Sequence, residues 1–385
     1  MRILVDATCW PNRRGFGRHA RSLVTALVEV DRENRYTLVM DGDGSGPLPP
    51  GVEVRRVRTT VPTTVAASAN GRRTFGDLYA MSRALSDPAF DVVLFPAVYS
   101  YVPVLSRARK VVIVHDTIAH DYPEMALSGR ASRLFWSAKT AVALRQAHAV
   151  VAVSEYARRS VVDRLRVSSR RTFVVGEAAD SVFRVIDDPR PTPQLHDQGV
   201  TGDLVVHVGG FSPHKNVDLL VDVFAAIAGR YPDARLVLVG EGEREVFRSC
   251  YDAVRRRAEG SGLAGRVVFT GFLPDEDLVV LLNLATVLVM PSMMEGFGLP
   301  AVEAAACGCP VIATDASPLP ELLGDAGLYV RPGDRADLES ALTRVLESAG
   351  LRERMSAAGI EAARRLTWED AARRMAEILR QVAAG

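Results

Sequence analysis

The stretch Pro291-Ser-Met-Met-Glu295-Gly-Phe-Gly298-Leu-Pro300-Ala-Val-Glu303 follows the apolar run Val287–Met290. The run is typical of a buried strand. The residues from about Pro300 are typical of a helix, because a proline in the first turn gives up no intrahelical hydrogen bond. Between them, Gly296 and Gly298 let the backbone approach a ligand closely. Strand, glycine loop and helix in this order predict an α/β fold whose helix N-terminus can bind an anion.

Two carboxylates, Glu295 and Glu303, bracket this predicted anion site. Carboxylates repel phosphate, but they accept paired hydrogen bonds from sugar and ribose hydroxyls. The spacing therefore suits a glycosyl phosphate. Taken singly, each glutamate also fits a structural role, since a loop can expose Glu295 and the helix dipole favours an acidic residue such as Glu303 in the first turns.

The alternation of strand and helix extends along the whole chain, which is typical of parallel sheets covered by helices on both faces. The predicted strands fall into two cycles. These are Ile3–Asp6, Tyr36–Met40, Val52–Val57, Val92–Phe95, Val111–His115 and Val150–Ser154, then Leu204–Val208, Leu236–Val239, Val267–Thr270, Val287–Met290 and Val311–Ala313. The fold class is therefore α/β, with two facing Rossmann-like, doubly wound domains.

The proline-rich segment Asp187–Gly199 interrupts both periods and separates the two cycles. We predict an N-terminal domain over residues 1–186, a C-terminal domain over residues 187–366, and a final helix within residues 367–385 that returns toward the first domain. Ligands bind at the carboxyl ends of the strands in such sheets, so two facing domains would form one interdomain cleft.

Composition excludes several classes of partner. The 47 basic and 46 acidic side chains nearly cancel, which argues against a nucleic-acid partner. Cys9, Cys250, Cys307 and Cys309 lack the paired spacing of a zinc site and are expected to be reduced thiols. No signal peptide and no run of about 18 apolar residues is found, so the sequence predicts a cytoplasmic protein and leaves peripheral membrane contact open.

A rival motif lies near the N-terminus. Gly15-Phe-Gly17-Arg-His-Ala20 fits G-x-G-x-x-A, and Asp41 follows at a suitable distance, as in NAD(P)-dependent oxidoreductases. However, Ala7–Arg14 separate the glycines from the first strand, and that turn is too long for the dinucleotide fold. An inactive nucleotide-sugar-binding scaffold is a second alternative, and epimerases or phosphorylases on the same plan are a third.

A second glycine loop follows the strand Leu204–Val208, namely Gly209-Gly210-Phe-Ser-Pro-His214-Lys215-Asn216. With the Glu295/Glu303 pair, this loop closely resembles the retaining nucleotide-sugar enzymes of glycosyltransferase family 4, which have the GT-B fold. Their E-x7-E pair and their loop ending in Lys-Asn are both matched. Further matches are Phe269-Thr-Gly271-Phe-Leu273, His115-Asp116, Val153-Ser154-Glu-Tyr and Gly15-Phe-Gly17-Arg.

The resemblance implies a role for each matched residue. Lys215 would contact the donor diphosphate, Glu295 the donor sugar, and His115 the donor sugar and acceptor; these three form the expected catalytic set. The expected donor-binding set is Gly15, Gly17, Gly210, His214, Gly271, Phe272, Leu273, Gly296, Phe297, Gly298, Leu299 and Glu303. Within it, Glu303 would meet the ribose and residues 271–273 the base.

The resemblance also implies transfer with retention. Because the expected phosphate contacts are side chains and amides and no D-x-D pair lies beside them, we expect activity without a metal ion, and no cofactor is expected. Ser317-Pro-Leu-Pro-Glu321 with Gly324-Asp-Ala is similar to mannosyl- and rhamnosyl-transferring relatives, which makes GDP-mannose the first expected donor, before UDP- and dTDP-sugars. The acceptor would be a glycan, a lipid or a small molecule, bound by the loops Thr59–Arg73 and Ala119–Arg133. The sequence does not define the oligomeric state.

The phosphate loop departs from the family pattern at two positions. Relatives usually carry an arginine at one of the places occupied here by Gly210 and His214. Because a histidine with a pKa of about 6.5 is only partly protonated at neutral pH, we expect a weaker, pH-sensitive phosphate contact. The alternative is that His214 points to solvent and that Lys215 suffices.

Overall fold

The computed structural model describes residues 1–12, 15–42, 47–61, 63, 74–127, 129–242, 248–263 and 265–385. They divide into two compact units. Unit 1 comprises Met1–Glu177 with Thr367–Gly385, and unit 2 comprises Ala178–Leu366. Each unit contains its own parallel sheet and its own apolar core.

Unit 1 contains a seven-stranded sheet in the order β3-β2-β1-β4-β5-β6-β7. Its strands are β1 Arg2–Asp6, β2 Arg35–Asp41, β3 Glu53–Val57, β4 Val92–Phe95, β5 Arg109–Val114, β6 Ala149–Ala152 and β7 Thr172–Val174. Its helices are α1 Gly15–Val30, α2 Phe75–Leu85, α3 Ile118–Asp121, α4 Pro123–Ala126, α5 Arg130–Gln146 and α6 Glu155–Arg164. All pairings are parallel, and the central strands are buried on both faces, which explains their continuous apolar runs.

Unit 2 contains a six-stranded parallel sheet in the order β10-β9-β8-β11-β12-β13. Its strands are β8 Leu204–Val208, β9 Arg235–Val239, β10 Val267–Gly271, β11 Val287–Met290, β12 Val311–Thr314 and β13 Gly327–Val330. Its helices are α7 Pro193–Asp197, α8 Val217–Ile227, α9 Tyr251–Gly260, α10 Asp275–Leu284, α11 Leu299–Ala306, α12 Leu319–Leu323, α13 Arg335–Glu347 and α14 Ala349–Arg364. The prediction of two doubly wound α/β domains is confirmed.

The sequence analysis missed two strands, β7 and β13, and both lie at an edge of their sheet. Each contains only one fully buried residue, Thr172 in β7 and Val330 in β13. An edge strand is covered on fewer sides than a central one, so it lacks the long apolar run that identified the others.

The first unit ends at Glu177 rather than at residue 186. The segment that follows is held by α10 of unit 2: the backbone N–H of Ile186 donates to Asn283 Oδ1 over 2.8 Å, and Asn283 Nδ2 donates to the carbonyl of Arg184 over 2.9 Å. These partners are nearly 100 residues apart in the chain, with a separation of 97 for the first pair, so no local pattern marks the boundary.

The last helix, α15 (Trp368–Ala384), belongs to unit 1 and packs against α1. Its buried residues recur at helical spacing along one face, and they are Ala371, Ala372, Met375, Ala376, Ile378 and Leu379. Among the described residues, no helix is both long enough and apolar enough to cross a bilayer.

Candidate functional site

The carboxyl ends of β8 and β11 meet at one edge of the unit 2 sheet, because the two strands are parallel neighbours. The loops that leave them bring Lys215 and Glu295 together across a separation of 80 residues. Lys215 Nζ lies 2.7 Å from Glu295 Oε1, and Ser292 Oγ donates to the same oxygen over 2.6 Å. The two residues expected to act on the donor therefore form one cluster.

This cluster is largely enclosed, with the Lys215 side chain 21% exposed and that of Glu295 8% exposed. Burying two charges costs free energy unless each is paired and hydrogen-bonded, and the contacts with Ser292 and with each other meet that need. The surrounding backbone is tied as well, since the N–H of Met293 donates to the His214 carbonyl over 2.7 Å. The ammonium is thus held at the sheet edge before any ligand arrives.

Helix α11 begins directly beyond this cluster, as predicted, with Gly298 before its first residue and Pro300 in its first turn. Gly298 has φ +89°, and a Cβ there would lie 2.9 Å from the Leu319 side chain, so both the backbone and the packing require glycine. Glu303 is buried on this helix rather than exposed. A favourable interaction with the helix dipole alone would leave the Glu303 carboxylate in solvent, so it does not account for this burial.

The expected base-binding residues lie at the same sheet edge. Gly271 is the last residue of β10, and its carbonyl accepts from Gly240 N–H over 3.0 Å, while the N–H of Gly209 donates to Val239 over 3.0 Å. These bonds link the ends of β10, β9 and β8 in series. Leu273, two residues beyond Gly271, is buried.

Two histidines border this site, and both are uncharged. His207 lies within β8, where Nδ1–H donates to the Val289 carbonyl over 3.0 Å, and burial lowers its pKa to about 4. Burial, with Lys215 beside it, also holds the pKa of His214 well below its ordinary value. The alternative of a solvent-facing His214 is therefore wrong, because the side chain is buried next to Lys215.

Unit 1 contains a second, largely buried cluster, made of His19 on α1, His115 directly after β5, and Glu177 after β7. Glu177 Oε1 lies 2.8 Å from His19 Nδ1 and 3.4 Å from His115 Nδ1. The Nε2 of His115 lies 2.9 Å from the Pro96 carbonyl, which can only accept, so this nitrogen carries a proton. Both ring nitrogens of His115 thus face acceptors.

The charges in this cluster follow from its geometry. Burial alone would lower the pKa of His115, but the Glu177 carboxylate more than offsets it and the pKa is raised. Burial alone would raise the pKa of Glu177, but the two histidines hold it at about 2. Burial lowers the pKa of His19. We assign a neutral His19 and a buried His115 imidazolium paired with the Glu177 carboxylate.

The atoms of this trio that could ligate a metal lie within 4.8 Å of one another. Among the described residues, it is the only group of three or more His, Cys, Asp or Glu side chains close enough together to hold a metal ion. His19, Glu177, Ser292 and His207 were not identified from the sequence. Glu177 and His207 lie outside the matched motifs. His19 and Ser292 lie inside quoted stretches in which other residues matched a known motif.

The glycines expected to close on the diphosphate open helix α1. A Cβ on Gly17 would lie 2.0 Å from the Asn12 carbonyl oxygen, so this position needs glycine for close backbone packing alone. Gly15 is exposed and has open space around its Cα. Residues 13–14 between Asn12 and this helix lie outside the described residues.

Two family models match the chain. The model for Glycosyltransferase Family 4 matches residues 13–181, and the model for glycosyl transferases group 1 matches residues 195–362. Between them they include every strand of both sheets except β1. The chain belongs to glycosyltransferase family 4. This membership favours the transferase over the dinucleotide-dependent alternative, and helix α1 accordingly starts well after the end of β1.

Curated relatives of this family 4 chain include several mannosyltransferases. The serotype-specific mannosyltransferase WbdA of Escherichia coli is 26% identical over 97% of this chain, and the chain spans 47% of that protein. The phosphatidyl-myo-inositol mannosyltransferase of Mycobacterium leprae is 32% identical over 51% of this chain and 52% of its own length. The chain therefore spans about half the length of these relatives.

Solved structures resemble the family 4 chain over its full length. Sucrose-phosphate synthase from Thermosynechococcus elongatus gives a TM-score of 0.75 at 22% identity, covering 100% of this chain and 99% of that one. Anabaena HepE in complex with UDP and glucose gives 0.74 at 20% identity, covering 99% and 100%. At these identities the likeness concerns the fold, which is of the GT-B type.

Proposed function

We propose that this protein transfers a sugar from a nucleoside diphosphate donor to an acceptor hydroxyl, with retention and without a metal ion. Lys215, Glu295 and His115 are the catalytic set of this proposal. The observation that carries it is the enclosed Lys215–Glu295 pair beside the N-terminus of α11. A fixed cation and the backbone amides at a helix N-terminus are the elements that a departing diphosphate needs.

The proposed chemistry uses charge and position rather than a covalent intermediate. Negative charge develops on the phosphate oxygen as the glycosidic bond breaks, and Lys215 and the amides of residues 296–299 stabilise it. The acceptor hydroxyl then forms the new bond on the same face and gives its proton to that phosphate oxygen. Glu303, buried on α11, binds the ribose and holds the nucleotide in place.

GDP-mannose is the donor we propose first. Support comes from the mannosyltransferase names of the relatives and from the matched segment Ser317–Glu321. UDP-sugars come second, since HepE was solved with UDP and glucose. The acceptor is proposed to be a glycan, a lipid-linked glycan or a small molecule. Of the expected acceptor loops, residues 62, 64–73 and 128 lie outside the described residues.

Thermal shift with GDP, UDP and dTDP separates the donors, because a nucleotide that binds the folded state raises Tm. GDP is expected to give the largest rise, with or without EDTA. GDP-mannose transfer is then followed by NMR of the anomeric coupling in the product. An inverted product would refute retention, and loss of activity in EDTA with rescue by Mn²⁺ would refute metal independence.

A cytoplasmic location with peripheral membrane contact completes the proposal. Fractionation of cells that produce the protein tests it. The protein is expected in the cytoplasm and in the membrane pellet at low salt, and to leave that pellet at high salt. Retention in the pellet after a high-salt wash would contradict peripheral contact.

A further inference from the structure

Most of the large apolar side chains that unit 1 exposes lie on one layer. Six of the eight exposed large apolar residues in the described part of the protein belong to α2, to residue 105, or to α5. They are Phe75, Tyr79, Leu105, Leu134, Phe135 and Val142. Phe75 is 92% exposed, Leu105 80% and Leu134 74%. Single exposed apolar residues are ordinary, but a group of this size marks an interaction surface.

These three elements cover the same face of the sheet. Met81 of α2, Tyr101 and Val104 of the intervening segment, and Leu144 of α5 all join one core cluster. The backbone of the segment is tied on both sides, because Leu105 N–H donates to Ser86 Oγ over 2.8 Å and Val104 N–H donates to Gln146 Oε1 over 3.0 Å. We call α2, residues 101–109 and α5 the outer layer.

Helix α5 is apolar on its solvent side as well as on its core side. Exposed apolar residues recur along it at spacings of three and four, and they are Ala131, Leu134, Phe135, Ala138 and Val142. Its buried side contains Thr140, Ala143 and Leu144. A helix that is apolar on two opposite sides is normally covered on both, and only one side is covered by this chain.

The charge of the outer layer indicates what covers it. Helix α5 contains Arg130, Arg133, Lys139 and Arg145 and no acidic residue. In α2, Arg83 follows the exposed Phe75 and Tyr79 at the same spacing of four, and Arg107 is exposed next to Leu105.

Nearby carboxylates are already paired: Glu124 lies 3.3 Å from Arg133, and Asp87 lies 2.6 Å from Arg55. The layer contains seven basic side chains against one acidic side chain, Asp77, and Glu124 offsets Arg133, so its net charge is positive; the basic residues are Arg83, Arg107, Arg109, Arg130, Arg133, Lys139 and Arg145. Basic side chains around apolar and aromatic ones match an anionic bilayer surface, whereas two copies of the layer would set like charges against each other.

We propose that the outer layer docks on an anionic lipid bilayer, with Leu134, Phe135 and Phe75 inserted at the headgroup boundary and the arginines against lipid phosphates. This surface gives the proposed peripheral contact a location, and it depends on neither the donor nor the acceptor. Two attractive contributions add in such a contact: the burial of apolar side chains and the attraction of basic side chains to the negative surface potential of the bilayer. Salt screens the second contribution.

The test is co-sedimentation of the full chain with vesicles of phosphatidylglycerol and phosphatidylcholine, or of phosphatidylcholine alone, with no nucleotide present. We expect binding to the anionic vesicles that falls with rising salt. Changing Leu134→Ser together with Phe135→Ser should lower the partition coefficient about tenfold or more. Each of Arg130→Ala and Arg145→Ala should lower it about fivefold.

Val185→Ser is the matched control, since Val185 is an exposed apolar residue of unit 2. It should leave binding unchanged, and all variants should keep the wild-type Tm because the altered side chains are exposed. Transfer to a water-soluble acceptor should continue at the wild-type rate in the Leu134/Phe135 and Arg145 variants, which lie outside the expected acceptor loops, and this separates the proposal from the proposed reaction.

Three results would overturn the docking surface. The first is absence of binding to anionic vesicles, and the second is equal binding by wild type and by the Leu134/Phe135 variant. The third is light scattering that shows a dimer which this variant dissociates, because the layer would then be covered by a second copy.

Discussion

Each unit buries one carboxylate beside a cation, but the cations differ. In unit 2, Glu295 is paired with the ammonium group of Lys215. In unit 1, Glu177 is paired with His115, whose pKa is raised because this carboxylate, with smaller contributions from the Pro96 carbonyl and Asp116, offsets burial. His207, which is fully buried and donates to a backbone carbonyl, shows the opposite pKa shift. The Glu177 carboxylate therefore outweighs burial at the partly exposed His115 but not at the fully buried His19.

Glu177→Gln should have the largest effect on stability. Removing one partner of a buried ion pair costs about 3 kcal/mol, and His115 should lose its proton as its pKa falls below the ordinary value. Urea unfolding at neutral pH measures the first effect, and nitrogen NMR shifts of His115 measure the second. Glu155→Gln is the control, because Glu155 forms a more exposed pair with Arg158.

The wild-type pair also has a defined pH window. The raised pKa of His115 contributes stability below its ordinary pKa, and this is lost as pH rises through the folded value. Glu177 contributes stability above pH 4.5 that is lost as pH falls toward about 2. A Glu177→Gln variant in which His115 keeps its raised pKa would contradict the assignment.

Lys215→Ala should reduce turnover about a hundredfold or more, since preorganised charge stabilisers in other enzymes have effects of this size. Lys215→Arg keeps a cation and should retain more activity. Steady-state kinetics with GDP-mannose measure both. Glu303→Ala should instead weaken binding of the nucleoside diphosphate first. Unchanged turnover in Lys215→Ala would mean that the unit 2 cluster is structural.

The neutral His207 should make the protein sensitive to mild acid. Its folded pKa of about 4 lies below its unfolded value, so the unfolded chain binds more protons and stability falls as pH drops. Between pH 7 and pH 5 the loss from this residue is about 2 kcal/mol. Urea midpoints across this range should change less in His207→Gln. An unaltered slope would show that other buried histidines dominate.

Among these predictions, the smallest expected change in the free energy of unfolding belongs to an exposed ion pair. Arg373 and Glu369 lie one turn apart on α15 and are 63% and 60% exposed. Arg373→Ala should change the free energy of unfolding by no more than about 0.5 kcal/mol, because water already screens the pair. A loss comparable with that of Glu177→Gln would mean that burial is not what distinguishes the two clusters.

The sequence by itself determined the fold class, most central strands, the start of α11 and the motif residues Lys215, Glu295 and Glu303. These features are local, since strand periodicity, a glycine loop and a proline in the first turn are visible within a few residues. The family resemblance arises from the same short motifs.

Only the tertiary structure decided which charges exist and which groups share them. Lys215 and Ser292 meet at one oxygen of Glu295, and Glu177 joins two histidines from distant elements. The tertiary structure also places the end of unit 1 at Glu177 rather than at residue 186, because the side chain of Asn283 in unit 2 hydrogen-bonds to the backbone beyond Glu177. A pKa depends on burial and on neighbours that the chain brings together only on folding. Local sequence therefore could not have assigned a neutral His214 beside Lys215. It could not have assigned a charged His115 beside Glu177 either.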